Sequence, residues 1–545
     1  MQGRAIAVIV FILMTVTCSF VTSYSQNLTI WIMPNEPSLE EVSDAAIIDF
    51  WEQNCVFLEH TQQELLSDHS LAAQVLGQRQ ILKEVAEYVG NEQAEGSDIG
   101  VRIRVIPWVD ALEEILSISA HGPDIVQLGS TWTPYVASKG LLADLTDAVN
   151  PTDYFKSSIA SCRRTESDTR IWAVPWFVDA RLLYYWRDIL RTAGVHDPPA
   201  DLQDWIGFRH ACNRVQDLIG NGGASTFESA FAIPVKRNRD LLHEFAIWAW
   251  AGGGDILRKG RAVFHEKNTV EAMDFLRTLK HDGCLSLPET DLEDIERGFL
   301  NRRYAMIIGR VRSTEGFEQL QENIGFALPP VSSSAKRTTF VGGSNLAILK
   351  SSREFEQALR LVEFLNGTSN FGALVSYTRA IGMPPARQGA ISLHFGSNAI
   401  AQEFQDALNH GRSYPSVPEW VEVEERVPSY FYLIWKDINN EEPLIKIQGR
   451  LEVMAAQLDI DLRCWWLKDM LSQDGWHTVL AKIWSWILKP VLRPIYALLA
   501  VVGGTAASVI AIVTIVKWIM YLVRHVRRRF LRPPPCVQPT NSPTR

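Results

Sequence analysis

Residues 28–33 (LTIWIM) form a short apolar run that stops at Pro34, a pattern that predicts a first strand closed by a turn. Apolar residues at helical spacing then dominate to residue 88. A polar loop over 90–100 leads into 101–106 (VRIRVI), whose alternation predicts a second strand, and 124–128 (DIVQL), behind Gly122 and Pro123, predicts a short buried third. Further strand-like runs lie at 304–308 (YAMII), 324–330 (IGFALPP) and 340–348 (FVGGSNLAI). Strands separated by helical stretches predict an α/β fold with a parallel sheet, in which ligands sit on the loops that leave the carboxyl ends of strands. Those loops are Asn35 and Glu36, then 130–135 (STWTPY) and 176–179 (WFVD), with a later run at 248–254 (WAWAGGG). No internal repeat or low-complexity linker interrupts residues 26–462.

The two ends of the chain have a different character. Arg4 precedes an apolar run over 5–21, and Ser23 and Ser25 supply the small residues that precede a cleavage point, so residues 1–25 are expected to be a signal peptide, with an uncleaved anchor as the alternative. Residues 495–516 carry no charge and would span about 33 Å as a helix, enough to cross a bilayer. Lys517, Arg524, Arg527, Arg528, Arg529 and Arg532 follow, which predicts a cytoplasmic 517–545 tail and places residues 26–490 outside. Before the span, Trp465, Trp466, Trp476, Trp484 and Trp486 alternate with Lys482 and Lys489, as in a juxtamembrane amphipathic helix over 463–494. Gly503, Gly504, Ala507 and Ser508 give the span a face of small residues, suited to a neighbouring membrane helix.

Charge narrows the function. The net charge is -9, and because the tail holds seven basic residues and no acid, residues 1–516 carry 46 basic against 62 acidic side chains. That balance argues against nucleic acid as a partner, which would require a basic stripe on the folded part. The seven cysteines show neither CxxC nor Cys/His ligand spacing, so no zinc site or other cofactor is expected. Their wide spacing allows a disulfide among the middle five without specifying one; the alternative is that they are buried small hydrophobes.

Six motifs then recur in one order: 123–147 (PDIVQLGSTWTPYVASKGLLADLTD), 171–190 (IWAVPWFVDARLLYYWRDIL), AGGGDIL, RRYAMIIG, IGFALPP and FVGGSNLAI. In sequence and spacing they resemble the extracellular solute-binding proteins of sugar-type ABC importers, the group that includes maltose-binding protein. The resemblance implies two α/β lobes with a solute cleft between them, the fold class of periplasmic binding proteins, followed here by a C-terminal transmembrane helix. It implies crossings near Asp144, between Pro330 and Phe340, and near Gly411, hence one lobe of residues 26–145 with 341–412 and another of 146–340 with 413–462.

A sugar presents hydroxyls that need polar partners and C–H faces that stack on aromatic rings. By matched position the resemblance assigns ligand contacts to Thr131, Trp132, Asp144, Trp176, Asp179 and Arg181. It also assigns Trp248, Gly253, Gly254, Asp255, Gly343, Ser344, Asn345 and Trp420; the alternatives are an Asp179–Arg181 ion pair, core packing of Trp248 and a helix end at Gly252–Gly254. Where the family commonly has a cleft tryptophan, this chain reads Arg310-Val311-Arg312, which suggests a positive cleft favouring an acidic or phosphorylated sugar, unless both arginines face solvent.

Catalysis has little support. HExxH, GxSxG, Walker A and GxGxxG patterns are missing, His243-Glu244 has no second His four residues on, and Glu424-Glu425 reads as a solvated helix face. The expected function is therefore a non-enzymatic receptor that delivers a carbohydrate to ABC permease subunits. The alternative is a membrane-anchored sensor acting on a signalling membrane protein.

Overall fold

The computed structural model describes residues 26–35, 42–118, 122–224, 226–310, 323–396 and 398–473. The signal segment, Glu36, Val311, Arg312, most of the juxtamembrane stretch, the 495–516 run and the basic tail lie outside those residues. Among the described residues no helix is long and apolar enough to cross a membrane.

Twelve strands are formed by the described residues: β1 (Gln26–Ile32), β2 (Ile99–Val105), β3 (Ile125–Gly129), β4 (Val174–Trp186), β5 (Ser229–Ala232), β6 (Leu257–Arg258), β7 (Arg261–Ala262), β8 (Leu285–Ser286), β9 (Tyr304–Arg310), β10 (Ile324–Ala327), β11 (Thr339–Ile348) and β12 (Gly411–Arg412). All but the β6–β7 hairpin join one hydrogen-bonded array ordered β2-β1-β3-β11-β4-β9-β5-β8, with β10 on β4 and β12 on β11. The first lobe has β1 parallel to both β2 and β3. In the second, β5 lies parallel to β8 and β9. These central strands are apolar because helices cover both faces: every residue of β3 and β5 is buried.

The lobes are joined through β4. Its first half, from Val174 to Ala180, pairs antiparallel with β11 in the first lobe. Its second half, from Arg181 onward, pairs with β9 and β10 in the second. The first crossing therefore falls between Ala180 and Arg181 inside a continuous strand and not near Asp144. Residues 150–162 remain with the first lobe, where Tyr154 donates to Asn366 at 2.6 Å and Arg387 pairs with Asp153 at 2.5 Å. The second crossing lies between β10 and β11, and the third at β12, after which the helix Trp420–Asn439 packs on the second-lobe helices Arg239–Ala251 and Lys267–His281.

Residues 176–179 are consequently strand and not loop. Pro175 sits at the second position of β4, opposite a register shift at Ser344 and Asn345 of β11, so the missing N–H interrupts no regular ladder. Gly343 makes this close pairing possible: its φ is +135°, and a Cβ there would run into the Phe177 carbonyl. Among the described residues Cys162, Cys212 and Cys284 are buried free thiols and Cys464 is an exposed one.

Gly343→Ala should lower folding stability by about 1–3 kcal/mol, the usual cost of forcing a methyl into packed structure. Urea unfolding of a 26–473 fragment, compared with a control at the exposed Gly90, measures it.

Candidate functional site

A cavity of about 430 Å³ lies where the lobes face each other. The first lobe contributes Asn35 after β1, Trp108 after β2 and Thr131 after β3, each placed by the chain leaving the carboxyl end of a parallel strand. The crossing strands supply Phe177, Asp179, Phe340 and Ser344. The second lobe adds Arg239 and His243 from the start of one helix, Glu424 from another, and Arg310 at the end of β9. Asn238 caps the helix Arg239–Ala251 by accepting from the Leu241 N–H, and the apolar body of that helix is buried, which leaves its first turns to face the cleft.

Several of these groups are held in place by partners behind the wall. Asn35 Nδ2 donates to Gln127 Oε1 at 2.9 Å and to the Tyr377 hydroxyl at 2.8 Å, while Gln127 Nε2 donates to Ser344 Oγ at 2.9 Å. The Trp108 indole donates to the Pro34 carbonyl at 3.1 Å. Behind Asp179 lies a buried ion cluster in which the Arg181 guanidinium contacts Asp179 at 3.2 Å, Asp240 at 2.7 Å and Glu244 at 3.9 Å.

The electrostatics follow from that cluster. Burial pushes the Asp240 carboxyl upward, but Arg181 and Arg310 outweigh burial and hold it at about 2. Asp179 also stays below its ordinary value, with burial again opposed by Arg181 and Arg310. Glu244 has only the longest contact to Arg181, so burial dominates and pushes it up to about 8. His243 is driven down to about 3 by burial with Arg181 adding to the effect, and it is a neutral ring at ordinary pH. Its Nδ1 lies 2.8 Å from the Tyr414 hydroxyl, and its face stacks on Phe340 at 4.1 Å.

Of the residues expected from sequence, Asn35, Thr131, Asp179, Arg310, Gly343 and Ser344 line the cavity. The others lie elsewhere. Trp132 is 2% exposed and sits behind Thr131, among Met33, Ile106 and Ala111. Asp144 accepts from the Thr146 backbone at 3.0 Å on the surface. Trp176 is fully buried and stacks on Tyr377 at 4.4 Å, with the Phe177 ring 5.4 Å away. Arg181 is fully enclosed in the ion cluster, and Trp248 is a core residue packed against Phe208, Phe231 and Phe275. Gly253 and Gly254 form the turn that ends their helix, with Gly253 at φ +83°, and Asp255 binds Trp250 Nε1 at 3.2 Å and Arg412 at 2.6 Å. Asn345 reaches Thr133 and Ser161 behind the sheet, and Trp420 stacks on Tyr414 at 4.3 Å.

The expected positive cleft is also corrected. Arg310 pairs with Glu296 at 3.2 Å, which compensates its charge locally. Glu424, read as solvated, turns inward with 7% of its surface exposed while Glu425 faces water, because adjacent positions on a helix point about 100° apart. Trp108 was missed although it follows a strand like the other marked loops. Phe177 and Phe340 stood within the marked WFVD and FVGGSNLAI runs without being singled out, while Arg239, His243 and Glu293 carried no separate signal.

Residues 90–405 match the family model described as bacterial extracellular solute-binding protein. The chain belongs to this family. Membership makes its binding domain an extracytoplasmic one. The diacetylchitobiose binding protein of Streptomyces coelicolor is 23% identical over 350 residues, covering 62% of this chain and 77% of that protein. The fold is that of the sugar-binding protein MalE from Xanthomonas citri, with a TM-score of 0.60 at 21% identity over 83% of this chain and 100% of that one. It also matches maltose-bound MalE3 of T. maritima, with a TM-score of 0.58 at 19% identity over 80% and 100%.

The raised Glu244 sets a pH dependence. A carboxyl whose folded pKa lies above its unfolded value favours the fold while protonated, and that contribution is lost as pH rises toward the folded value. Relative to Glu244→Gln, the wild-type solute-binding domain should lose stability as pH increases from about 5 to about 8; paired denaturant titrations across that range measure it, and parallel curves would refute it.

Proposed function

We propose that this solute-binding protein is a non-enzymatic carbohydrate receptor that delivers its solute to an ABC importer. The observation that carries the reading is the cavity wall, where Trp108, Phe177 and Phe340 alternate with Asn35, Thr131, Asp179 and Ser344. Flat rings suit the C–H faces of a sugar, and amide, hydroxyl and carboxylate groups suit its hydroxyls. The cavity volume falls within the usual range for small-molecule sites. The Streptomyces relative is named for binding a sugar, and the Xanthomonas protein of the same fold is called sugar-binding, which supports the solute class.

The remaining sequence-assigned positions enter the proposal differently. Asn35, Thr131, Asp179, Arg310, Gly343 and Ser344 are proposed contacts, whereas Trp176, Arg181, Trp248, Asn345 and Trp420 act as supports behind the wall. The compensated Arg310 and the carboxylates of Asp179, Glu293 and Glu424 favour a hydroxyl-rich neutral solute over an acidic one. We further propose that the 495–516 run anchors the full-length chain in the membrane with its basic tail inside, beside permease helices.

Calorimetry and thermal-shift screening of the ectodomain against mono-, di- and acidic saccharides test the solute class, because a ligand of the folded state alone raises the melting temperature. A neutral saccharide should shift it and a uronic acid should not; no shift with any saccharide would refute the reading. Phe177→Ala should weaken the binding of that saccharide about ten-fold through loss of stacked apolar area. Full-length protein should resist alkaline extraction from membranes and co-purify with a permease and ATPase, whereas capture of a histidine kinase would favour the sensor alternative.

A further inference from the structure

Trp132 joins the two lobes without lining the cavity between them. It follows β3 in the first lobe, where its ring packs on Met33, Ile106 and Ala111, and Val421 from the second lobe packs against the same cluster. The indole N–H donates to Glu424 Oε2 at 3.3 Å, and the Arg239 guanidinium lies 4.9 Å from the ring centroid. Glu424 and Arg239 stand on second-lobe helices that pack on each other.

Glu424 and Arg239 also belong to the cavity wall, as do Thr131 beside Trp132 and Trp108, whose ring meets Trp132 edge-on at 5.4 Å. One carboxylate is therefore shared between an interlobe contact and the space a solute would fill. Closing the lobes takes that carboxylate out of water, which is unfavourable unless hydrogen-bond donors replace the lost hydration. Trp132 and Thr131 donate to Glu424 and Arg239 supplies compensating charge, and a hydroxyl-bearing solute would add a further donor.

We propose that Trp132 is a positioning residue that latches the lobes together, and that Glu424, common to latch and cavity, couples closure to occupancy. A ligand shifts a two-state equilibrium only through its differential affinity for the two states, and a donor to Glu424 has that property because the carboxylate is enclosed only when the lobes meet. Trp132 then acts on solute affinity without touching solute. The latch itself does not depend on the solute being a sugar; the carbohydrate reading supplies only the probe.

Trp132→Phe keeps the ring and removes the N–H, and Glu424→Gln keeps an acceptor while removing the charge. With the saccharide that gives the largest thermal shift, Trp132→Phe should weaken binding about ten-fold, through faster dissociation at an unchanged association rate. Glu424→Gln should shift the dissociation rate in the same direction. Small-angle scattering should show a larger radius of gyration for the solute-free Trp132→Phe and Glu424→Ala domains than for wild type. A purely structural role would lower the melting temperature and leave the radius and dissociation rate unchanged, which would overturn the latch, as would a complex in which the indole stacks on the solute. If the wild type binds no saccharide, the scattering comparison still decides the latch, so its failure and failure of the carbohydrate reading are separable.

Discussion

The architecture depends on a buried charge at the point where one strand leaves one lobe and enters the other. Arg181 is the first residue of β4 to pair in the second lobe, Asp179 is among the last to pair in the first, and the Arg181 guanidinium is bonded to both Asp179 and Asp240. A guanidinium so enclosed is tolerated only with carboxylates around it, and removing one partner of such a cluster typically costs about 3–5 kcal/mol. The cluster therefore holds the helix Arg239–Ala251 in register with the crossing strand. The Thr339 hydroxyl donates to the Arg181 carbonyl and ties the second crossing strand to the same point.

This constraint determines the cleft wall. With Asp179 and Arg181 fixed on β4, Phe177 lines the cavity while the adjoining Trp176 ring is buried beside it against Tyr377. The first helical turns beyond Asn238 are held there too, which brings Arg239 and His243 into the wall. Because Arg181 and Arg310 are both compensated by carboxylates, the cleft presents hydrogen-bonding groups and rings instead of a strong positive field. That combination matches a neutral polar solute better than an anionic one.

Core and cleft compete for the same residue types in a chain rich in tryptophan. Trp132, Trp176, Trp248 and Trp420 each stand in or beside a segment that reaches the cleft, yet all four rings are buried in packing. Trp108 reaches the cavity because it stands just past the carboxyl end of β2, with its N–H bound to the Pro34 carbonyl. Burial of a large ring is strongly favourable wherever a neighbouring layer can cover it, so a tryptophan beside a strand end is claimed by whichever surface lies nearer.

By itself the sequence determined the α/β alternation, the approximate positions of β1, β2, β3, β9 and β11, and the class of loops that would carry ligands. These depend on local periodicity and on runs such as LTIWIM, VRIRVI and DIVQL, which allow few other structures. Only the tertiary structure decided that 176–179 continue a crossing strand, that Glu424 turns inward, and that Arg310 meets Glu296. Each of those outcomes is set by a partner distant in sequence: β11 for residues 176–179, Trp132 for Glu424, and the helix bearing Glu296 for Arg310. A residue's own neighbours in the chain do not specify which of its faces such a partner will cover.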